Sequence, residues 1–424
     1  MPNSNRPAWA RLALIVASAA LLAGAAQAQT TVNFLSAQND DVFAPVIEAF
    51  EAQNPDIDVV HQTVPFDELN TAVETRVGAG DDSIDVFAAD TPRIPAFASR
   101  GYLENLDDAA DKIKAVVPAP VEIELVSHDG SIWAYPMWTS SQLLYFNRDL
   151  LEAAGLPMPS GDPAERMTWE EVIANAKAAK EAGAPWGLMF QQVDRYYQLQ
   201  PLFESSGAGS GLSGDGLLTP ALDGEKWAET AAWYAAIFED ELGPRGIDPS
   251  QTDDLFGRGE IAYYVAGPWA LGRFEGVEGL NYGVAPHPYF EGGTPVSPTG
   301  AWALGINPNA ANKEAARKFA EFATLTTDGS FLTTQNFPLI PVHEGGFAKY
   351  GEKIGELTDK VGPAIDIMAF EGSNTAVARP RTVGYVAFET EMNRIFSDLR
   401  NGADVDDTLA QAQRRLQRML ARQR

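Results

Sequence analysis

Short apolar runs and amphipathic stretches alternate along the first part of the chain. Val32–Ser36 is brief and β-prone, and the apolar residues between 43 and 50 then recur at i, i+3, i+4 and i+7, which predicts one buried helical face. A second strand is predicted over Ile57–Val64, a helix over Asp67–Val77, and a buried strand over Asp85–Ala89. This alternation predicts an α/β layer with a parallel sheet.

The pattern changes near Trp138 and again near residue 286. An aromatic extended segment ends at Trp138, a strand is predicted over Leu143–Asn147, and residues 160–290 have the pattern of a second α/β unit. Thr168 with Glu171 three residues later predicts a capping box at the start of a helix. These shifts divide the chain into two α/β units.

Three polar segments come directly after predicted strands: Gln38-Asn39, Phe66-Asp67 and Asp90-Thr91. In parallel sheets, ligands gather beyond the carboxyl ends of the strands. We therefore expect these three segments to meet at one edge of a sheet and to border a cleft.

The N-terminus has the features of a signal peptide over residues 1–28. Arg6 and Arg11 precede an apolar run that reaches about Ala26, and Ala26-Gln27-Ala28 fits the small-x-small cleavage pattern. The alternative is a membrane anchor, but the apolar run is short for a span of about 20 residues, and polar residues follow it at once. Since the chain has no Cys, a lipid anchor is excluded, and no later segment is long and apolar enough for a span. We predict a protein without a membrane anchor, exported to a bacterial periplasm.

Composition and charge exclude several classes of function. The 424 residues include 31 Lys+Arg and 58 Asp+Glu, a formal charge of −27, which argues against a nucleic-acid partner because phosphates would be repelled. Removal of residues 1–28, with their two basic residues, would change the charge to 29 − 58 = −29. The absence of Cys excludes disulfides, thiol catalysis and Cys-ligated metals, and four His make a multi-His metal site improbable. We expect no cofactor and no bound metal.

Enzyme signatures are absent. The sequence has no G-x-S-x-G elbow, no H-E-x-x-H and no Walker lysine motif, so we expect no catalytic residues. The many carboxylates leave a glycosidase pair as an alternative, although neighbours such as Asp253-Asp254 are interpreted as solvated surface.

Aromatic residues in polar, turn-like sequence favour a sugar ligand. Trp138, Tyr196-Tyr197, Trp269 and Trp302 all lie in polar or turn-like sequence and not in apolar runs. A sugar ring can stack on such a side chain while polar neighbours bind its hydroxyls. For each residue, packing in the core is an equally good interpretation. The pairs Tyr196-Tyr197 and Tyr263-Tyr264 could instead ligate ferric ion, but none of the four His is near them in sequence.

A series of motifs in order resembles one family. The series runs through Asn54-Pro55-Asp56-Ile57, Asp85-Val86-Phe87, Gly130-Ser131-Ile132-Trp133-Ala134-Tyr135-Pro136, Leu144-Tyr145-Phe146-Asn147-Arg148-Asp149, Met167-Thr168-Trp169-Glu170-Glu171, Phe256-Gly257-Arg258-Gly259-Glu260-Ile261-Ala262, Gly267-Pro268-Trp269, Lys313-Glu314-Ala315-Ala316 and Ala378-Arg379-Pro380-Arg381. From about Val32 to Leu420, the chain resembles the extracellular solute-binding proteins of ABC importers, in the class that includes maltose- and trehalose-binding proteins.

The resemblance implies the two-lobed α/β fold of periplasmic binding proteins, the Venus flytrap fold, with a mainly parallel sheet flanked by helices in each lobe. It places 29–138 and 286–337 in the first lobe and 139–285 and 338–424 in the second, joined by a hinge that the chain crosses more than once. The implied function is capture of a small molecule between lobes that close on it. A monomer would then deliver the ligand to a membrane permease driven by a cytoplasmic ATPase.

The resemblance also implies ligand contacts wherever the local motif matches. These expected contacts are Gln38, Asn39, Phe66, Asp67, Asp90, Trp138, Thr139, Tyr196, Trp269, Gly300, Trp302, Arg379 and Arg381. At least one of the two arginines has a surface ion pair as its alternative.

The leading hypothesis is a sugar carrier, with a di- or oligosaccharide as ligand because several aromatic residues could each stack on one ring. The alternatives are an exported glycosidase and a binding protein for iron, a polyamine or an anionic sugar derivative, the last held by Arg379 and Arg381.

Overall fold

The computed structural model describes residues 29–336, 339–355 and 361–423. The predicted signal peptide, residues 1–28, lies outside the described residues, as do residues 337 and 338 at a predicted lobe boundary. The strands of the described part are β1 (Thr30–Ser36), β2 (Ile57–Thr63), β3 (Val86–Asp90), β4 (Ser127–His128), β5 (Ser131–Ile132), β6 (Tyr135–Thr139), β7 (Leu143–Asn147), β8 (Trp186–Phe190), β9 (Leu212–Ser213), β10 (Thr219–Pro220), β11 (Ile261–Ala266), β12 (Tyr282–Pro286), β13 (Ser297–Thr299), β14 (Trp302–Ile306), β15 (Ile340–Pro341) and β16 (Ala376–Ala378).

The α-helices of the same part are α1 (Asp40–Gln53), α2 (Phe66–Arg76), α3 (Ile94–Ser99), α4 (Ala110–Val116), α5 (Pro120–Leu125), α6 (Arg148–Ala153), α7 (Trp169–Glu181), α8 (Tyr196–Ser206), α9 (Glu225–Glu239), α10 (Thr252–Gly257), α11 (Ala270–Glu275), α12 (Lys313–Leu325), α13 (Thr327–Leu332), α14 (Glu344–Gly355), α15 (Ala364–Asn374), α16 (Tyr385–Arg400) and α17 (Val405–Leu420).

The N-terminal elements follow the hydrophobic pattern closely. Strand β3 is buried along its whole length, as a strand covered on both faces must be. Helix α1 buries Phe43, Val46 and Phe50 on one face. It ends before Asn54-Pro55, because the residue before proline avoids the α region. The predicted alternation of strands and helices is confirmed here, with boundaries shifted by one or two residues.

The first large sheet contains six strands in the order β15-β6-β14-β3-β1-β2. Strand β1 runs parallel to β2 and β3, whereas β14 is antiparallel to both β3 and β6. Edge strand β15 is antiparallel to β6. Strands β1, β2, β3 and β6 therefore share one direction, and β14 and β15 oppose it.

The second large sheet contains four strands in the order β12-β7-β11-β8. Strand β11 runs parallel to β8, and β7 is antiparallel to both β11 and β12. Only β7 therefore opposes the common direction within this sheet.

The reversed strands β7 and β14 have a common origin, since each follows a segment in which the chain passes from one large sheet to the other. Strands β6 and β12 end at the connection between the sheets and therefore run towards it. Strands β7 and β14 begin at that connection, so they run away from it. Most strands of each sheet are parallel, as expected, but the pairings include antiparallel ones for this reason.

Each large sheet has its own hydrophobic core. The first core, around the six-stranded sheet, includes Phe34, Phe87 and Phe319, and the second core, around the four-stranded sheet, includes Tyr145 and Phe388. Helices α1 and α12 cover the first core, and α7, α8, α9, α16 and α17 cover the second. The fold is thus a two-lobed α/β architecture.

The connections between the lobes lie side by side. Strand β6 ends at Thr139 in the first sheet and β7 begins at Leu143 in the second. The short parallel pair β13–β16 adjoins this crossing, where the Thr139 and Thr299 hydroxyls lie 2.8 Å apart. Residues 340–341 pair with the first sheet, although the predicted boundaries assign 338–424 to the second lobe. The predicted division into lobes stays a prediction.

In the described part of the chain, no helix is long and apolar enough to cross a membrane.

Candidate functional site

A cavity of about 420 Å³ lies where the two lobes face each other. Gln38, Phe66, Asp90 and Trp302 line it from the elements of the first core. From the elements of the second core it is lined by Gln192, Arg195, Tyr197, Trp269, Glu389 and Asn393. The volume lies within the range of about 300–1,000 Å³ that small-molecule sites occupy.

The ends of the first-sheet strands supply one wall. Gln38 follows β1, and its backbone N–H donates to the Ser36 hydroxyl at 3.1 Å, which fixes the turn. Asp90 is the last residue of β3, and Phe66 is the first residue of α2, after β2. The predicted meeting of these strand ends at one edge of the sheet is thereby confirmed.

Two aromatic pairs face the cavity, one from each lobe. Phe66 and Trp302 meet edge to face with ring centroids 5.9 Å apart, and Phe66 is 44% exposed. The β14–β6 pairing has a register shift between Trp302 and Ala303. Such an irregularity changes the direction of the side chain beside it, here that of Trp302. On the other side, the rings of Tyr197 and Trp269 are 6.3 Å apart. The cavity therefore offers aromatic surface on both walls.

Trp269 is held by a hydrogen-bonded network behind it. Its indole N–H donates to Gln191 Oε1 at 2.7 Å, and the Gln191 amide donates to both carboxylate oxygens of Asp253 at 2.9 and 3.1 Å. Tyr264 donates its hydroxyl to Asp253 at 2.7 Å, and Arg273 forms an ion pair with it at 3.1 Å. Burial raises the pKa of Asp253. The network fixes the orientation of the ring.

This network corrects one interpretation of the sequence. Asp253 was expected on the solvated surface together with Asp254, but its side chain is only 15% exposed, whereas that of Asp254 is 55% exposed. The reason is that Asp253 accepts hydrogen bonds from buried partners behind the cavity wall. Its neighbour on short helix α10 points outward.

Four charged side chains form one cluster at the edge of the cavity, hereafter the charge quartet: Asp90, Arg93, Arg379 and Glu389. Both guanidinium Nη atoms of Arg379 bind the two oxygens of Asp90, with Nη1–Oδ2 at 2.8 Å. Arg93 binds Glu389, and the Tyr385 hydroxyl donates to Glu389 at 2.8 Å. Asp90 and Arg93 extend from the first lobe, and the other two from the second, so the quartet joins the lobes.

Gly300 allows the crossing segments to approach the cavity closely. Its backbone N–H donates to the Ser140 hydroxyl at 3.2 Å, and that hydroxyl lies 2.9 Å from the Tyr197 hydroxyl. A Cβ atom at Gly300 would lie 2.7 Å from Ser140 Oγ and 2.8 Å from the Tyr197 ring. Only glycine fits there without displacing these side chains.

Among the residues expected to contact a ligand, those that line the cavity are Gln38, Phe66, Asp90, Trp269, Gly300, Trp302 and Arg379. Asn39 is exposed at the start of α1 and lies outside the lining. Asp67 lies on α2, and its side chain is outside the described part of the structure.

Four other expected contacts are held away from the cavity by their own partners. Trp138 stacks on Phe43 at 5.4 Å and donates its indole N–H to Thr333 at 2.7 Å. Tyr196 is fully buried and donates to the Ser210 carbonyl at 2.7 Å. Both residues therefore pack in a core, which was the alternative interpretation for each aromatic residue.

Thr139 and Arg381 are the remaining two. Thr139 pairs with Thr299 at the crossing, 2.8 Å between hydroxyl oxygens. Arg381 binds Glu124 at 3.2 Å and the Ser127 carbonyl, so it forms the peripheral ion pair that was its alternative. Neither lines the cavity, and which residues touch a ligand stays a prediction.

Several residues that line the cavity were not among the expected ligand contacts. Arg195 and Tyr197 flank Tyr196 at the start of α8, and sequence alone does not tell which of two adjacent tyrosines faces inward. On α16, the lining residues Val386, Glu389, Thr390 and Asn393 recur at helical spacing. They lie on the face of α16 opposite the buried Phe388, Met392 and Ile395. This amphipathic pattern is visible in the sequence and could have predicted that α16 borders the cavity.

The sequence of the chain is similar to those of several known proteins. The sequence profile of the family described as "Bacterial extracellular solute-binding protein" matches residues 36–328. A binding protein of Brucella abortus is 29% identical over 356 residues, which cover 78% of this chain and 80% of the relative. The maltodextrin-binding protein MdxE of Bacillus subtilis is 27% identical over 300 residues, 67% of this chain and 66% of the relative.

Among solved structures, maltose-bound MalE3 of T. maritima superimposes with a TM-score of 0.78 at 23% sequence identity. The match covers 91% of this chain and 99% of that chain. The expected two-lobed fold of periplasmic binding proteins is thereby confirmed.

Proposed function

The chain belongs to the bacterial extracellular solute-binding protein family, and from this premise we propose that it captures a sugar between its two lobes for uptake by an ABC importer. The ligand would occupy the cavity between the Phe66–Trp302 and Tyr197–Trp269 pairs. This activity requires no cofactor, metal or catalytic residue.

The two aromatic pairs on opposite walls carry the proposal. The carbon-bound hydrogens of a sugar ring stack well on aromatic faces, and its hydroxyls need fixed donors and acceptors around the rim. Gln38, Gln192, Asn393 and the Ser140 hydroxyl line the same cavity and supply such groups. The name of one relative, which refers to maltodextrin, supports the same ligand class.

The size of the cavity narrows the ligand within that class. About 420 Å³ is near the lower end of the usual range of 300–1,000 Å³, and two aromatic pairs supply stacking surface for two rings. We therefore place a disaccharide ahead of longer oligosaccharides.

Uptake would follow from closure of the lobes. Trp269 packs against both cores, and the charge quartet joins the lobes, so a ligand in the cavity would stabilise the closed arrangement over an open one. In this proposal a monomer, exported to the periplasm by its N-terminal signal, docks in the closed form on a membrane permease coupled to a cytoplasmic ATPase.

A glycosidase is the alternative from another class. Asp90 and Glu389 both line the cavity, but each is ion-paired to an arginine. A glycosidase acid must carry a proton, and an arginine partner stabilises the charged carboxylate instead. The pairing favours binding without turnover.

The alternatives in which the ligand is iron or a polyamine have less support. The Tyr264 hydroxyl donates to Asp253, and Tyr196 donates to a backbone carbonyl, so both phenols serve as hydrogen-bond donors. In the part of the chain that the structure describes, no group of three or more His, Asp or Glu could hold a metal ion. A polyamine would need cavity carboxylates that are not already paired.

A ligand-induced thermal-shift screen of the purified protein tests the proposal. Because a ligand that binds only the folded state must raise stability, we expect at least one sugar to raise Tm, by an amount that grows with its concentration. Iron salts and polyamines should give no shift, and aryl glycosides should not be hydrolysed. Turnover of an aryl glycoside, or shifts with the ions alone, would overturn the proposal.

A further inference from the structure

Among the residues whose side chains the structure describes, acidic and basic residues line the cavity in equal number. The acidic ones are Glu74, Asp90 and Glu389, and the basic ones are Arg93, Arg195 and Arg379. Four of these six belong to the charge quartet, whose formal charges sum to zero. This described lining therefore has no excess of either sign, although the chain as a whole carries −27.

The quartet is buried and closely paired. The side chains of Arg379 and Asp90 are 6% and 7% exposed, and those of Arg93 and Glu389 are 9% and 14% exposed. Cross-contacts complete the cluster, with Arg379 Nη1 at 3.6 Å from Glu389 and Arg93 Nε at 3.8 Å from Asp90. Each charge thus has two partners of opposite sign.

Arg379 is held from two further directions. Its guanidinium lies over the Tyr197 ring, 5.0 Å from the centroid, and its Nη1 atom is 3.3 Å from the Tyr385 hydroxyl. Tyr385 in turn donates to Glu389. The quartet is therefore rigid, and its members cannot turn towards a ligand without breaking several contacts at once.

A charged group that binds to a member of the quartet has to displace one of its ion-pair partners. An anion that took Arg379 would leave the Asp90 carboxylate buried without its bidentate partner, and a buried charge that loses its partner is strongly destabilising. A cation that bound Asp90 or Glu389 would likewise leave an arginine buried without its closest carboxylate partner. An uncharged ligand leaves every pair intact.

The charged residues near the cavity that lie outside the quartet have contacts of their own. Arg381, one of the two arginines expected to hold an anion, lies outside the cavity and binds Glu124. Arg195 places its guanidinium over the Phe66 ring at 5.3 Å from the centroid. Glu74 is paired with Arg100 at 3.3 Å.

We infer that the charge quartet acts as a specificity filter, which restricts the cavity to uncharged sugars and sugar alcohols and rejects phosphate esters, uronic acids and amino sugars. This inference rests on the proposed function and assigns Asp90, Arg93, Arg379 and Glu389 to specificity. Arg379 then lines the cavity as half of an ion pair and does not act as an anion-binding site.

A thermal-shift panel sorted by charge tests the filter on the wild-type protein. The panel pairs glucose, maltose, trehalose and mannitol with glucose 6-phosphate, trehalose 6-phosphate, glucuronate and glucosamine, together with a broad set of neutral oligosaccharides. We expect shifts only in the neutral class. A charged compound that stabilises the protein as well as the best neutral one would overturn the filter and leave sugar capture intact. No shift in any class would contradict sugar capture itself, and the filter with it.

The variant Asp90→Asn tests whether the ion pairs of the charge quartet cause the preference for uncharged ligands. It keeps the size of the side chain and removes the bidentate partner of Arg379, whose remaining carboxylate neighbour is Glu389 at 3.6 Å. Calorimetry should then show affinity for phosphate esters or uronic acids, relative to neutral sugars, rising about tenfold or more. Glu389→Gln, which removes the carboxylate that binds Arg93, should act in the same direction and provides a second variant if Asp90→Asn does not fold.

Glu124→Gln is the matched control, because this carboxylate is also paired with an arginine but lies outside the cavity. Its ligand preference should equal that of the wild type. An unchanged preference in both folded cavity variants, or an equal change in Glu124→Gln, would overturn the inference.

Discussion

At the scale of single residues, Trp269 has the largest expected effect on binding. It lines the cavity, packs against both cores and is half-buried, with its indole N–H on Gln191. Trp269→Ala should weaken sugar binding about tenfold or more, since buried aromatic anchors dominate binding energies. The free energy of unfolding without ligand should fall by less than the roughly 3–5 kcal/mol that truncation of a fully buried tryptophan costs. Calorimetry and denaturant unfolding measure the two quantities.

Trp133→Ala is the matched control for this substitution. Trp133 is also half-buried with its indole N–H bonded, here to the His128 carbonyl at 3.0 Å, but it lies outside the cavity lining. Its removal should leave sugar affinity unchanged. Equal affinities of Trp269→Ala and the wild type, with a large loss of stability, would assign Trp269 to the core.

A second residue-scale prediction concerns Glu122, which is buried on α5. Burial raises the pKa of Glu122 to about 7. Between about pH 4.5 and 7 the folded state then holds a proton that the unfolded state has lost, so the free energy of unfolding falls as pH rises through this window. Glu122→Gln should remove that loss, on the order of 3 kcal/mol.

Denaturant unfolding of both proteins at pH 5 and pH 8 measures this difference. Glu124→Gln, an exposed carboxylate two residues further on α5, should follow the wild-type pH dependence. If the stability of Glu122→Gln varies with pH as steeply as that of the wild type, the buried carboxyl is not the cause.

Residue positions at the cavity were predictable only where the local motif fixed them. Gln38, Phe66 and Asp90 follow or precede elements at strand ends that the topology brings together, and all three line the cavity. Trp138 and Tyr196 lie in the cores, because an aromatic residue in polar sequence can satisfy its polar atom inside a core as well as at a ligand. Which occurs depends on partners such as Thr333 that are distant in sequence.

At the scale of elements, the β13–β14 turn controls how closely the crossing segments approach. Gly300→Ala would place a Cβ 2.7 Å from Ser140 Oγ and 2.8 Å from the Tyr197 ring. The displaced Tyr197 should weaken sugar binding about tenfold, and overpacking should lower the free energy of unfolding by about 1–3 kcal/mol. Calorimetry and unfolding of the variant check both effects.

Gly372→Ala supplies the control for a glycine substitution. Gly372 lies within α15, where a Cβ would meet no atom within 4 Å. Binding should stay unchanged, and stability should rise by up to about 1 kcal/mol because alanine is the better helix former. Wild-type affinity in Gly300→Ala would contradict the role given to the close approach.

Element types were largely predictable, whereas pairings were not. The capping box of Thr168 and Glu171 is present as predicted, because it depends on residues three apart. The antiparallel pairing of β14 with β3 and β6 depends on the chain returning from the other lobe, which local periodicity does not encode.

At the scale of the whole molecule, two cores built around separate sheets meet at one cavity, and contacts from both lobes converge on it. Trp269, the charge quartet and the Gly300 turn each join the lobes there. The overall negative charge argues against a nucleic-acid partner, but it does not describe the cavity, whose described lining charges balance. Capture of an uncharged sugar by closure of the lobes is the account that unites these features.

The decisive measurement is a crystal structure of the protein with the sugar selected by the thermal-shift screen. We expect the sugar to lie between the Phe66–Trp302 and Tyr197–Trp269 pairs, with at least one ring stacked on an aromatic face and the Asp90–Arg379 and Arg93–Glu389 pairs intact. A sugar bound outside this cavity, or one held through a displaced Arg379, would contradict this expectation.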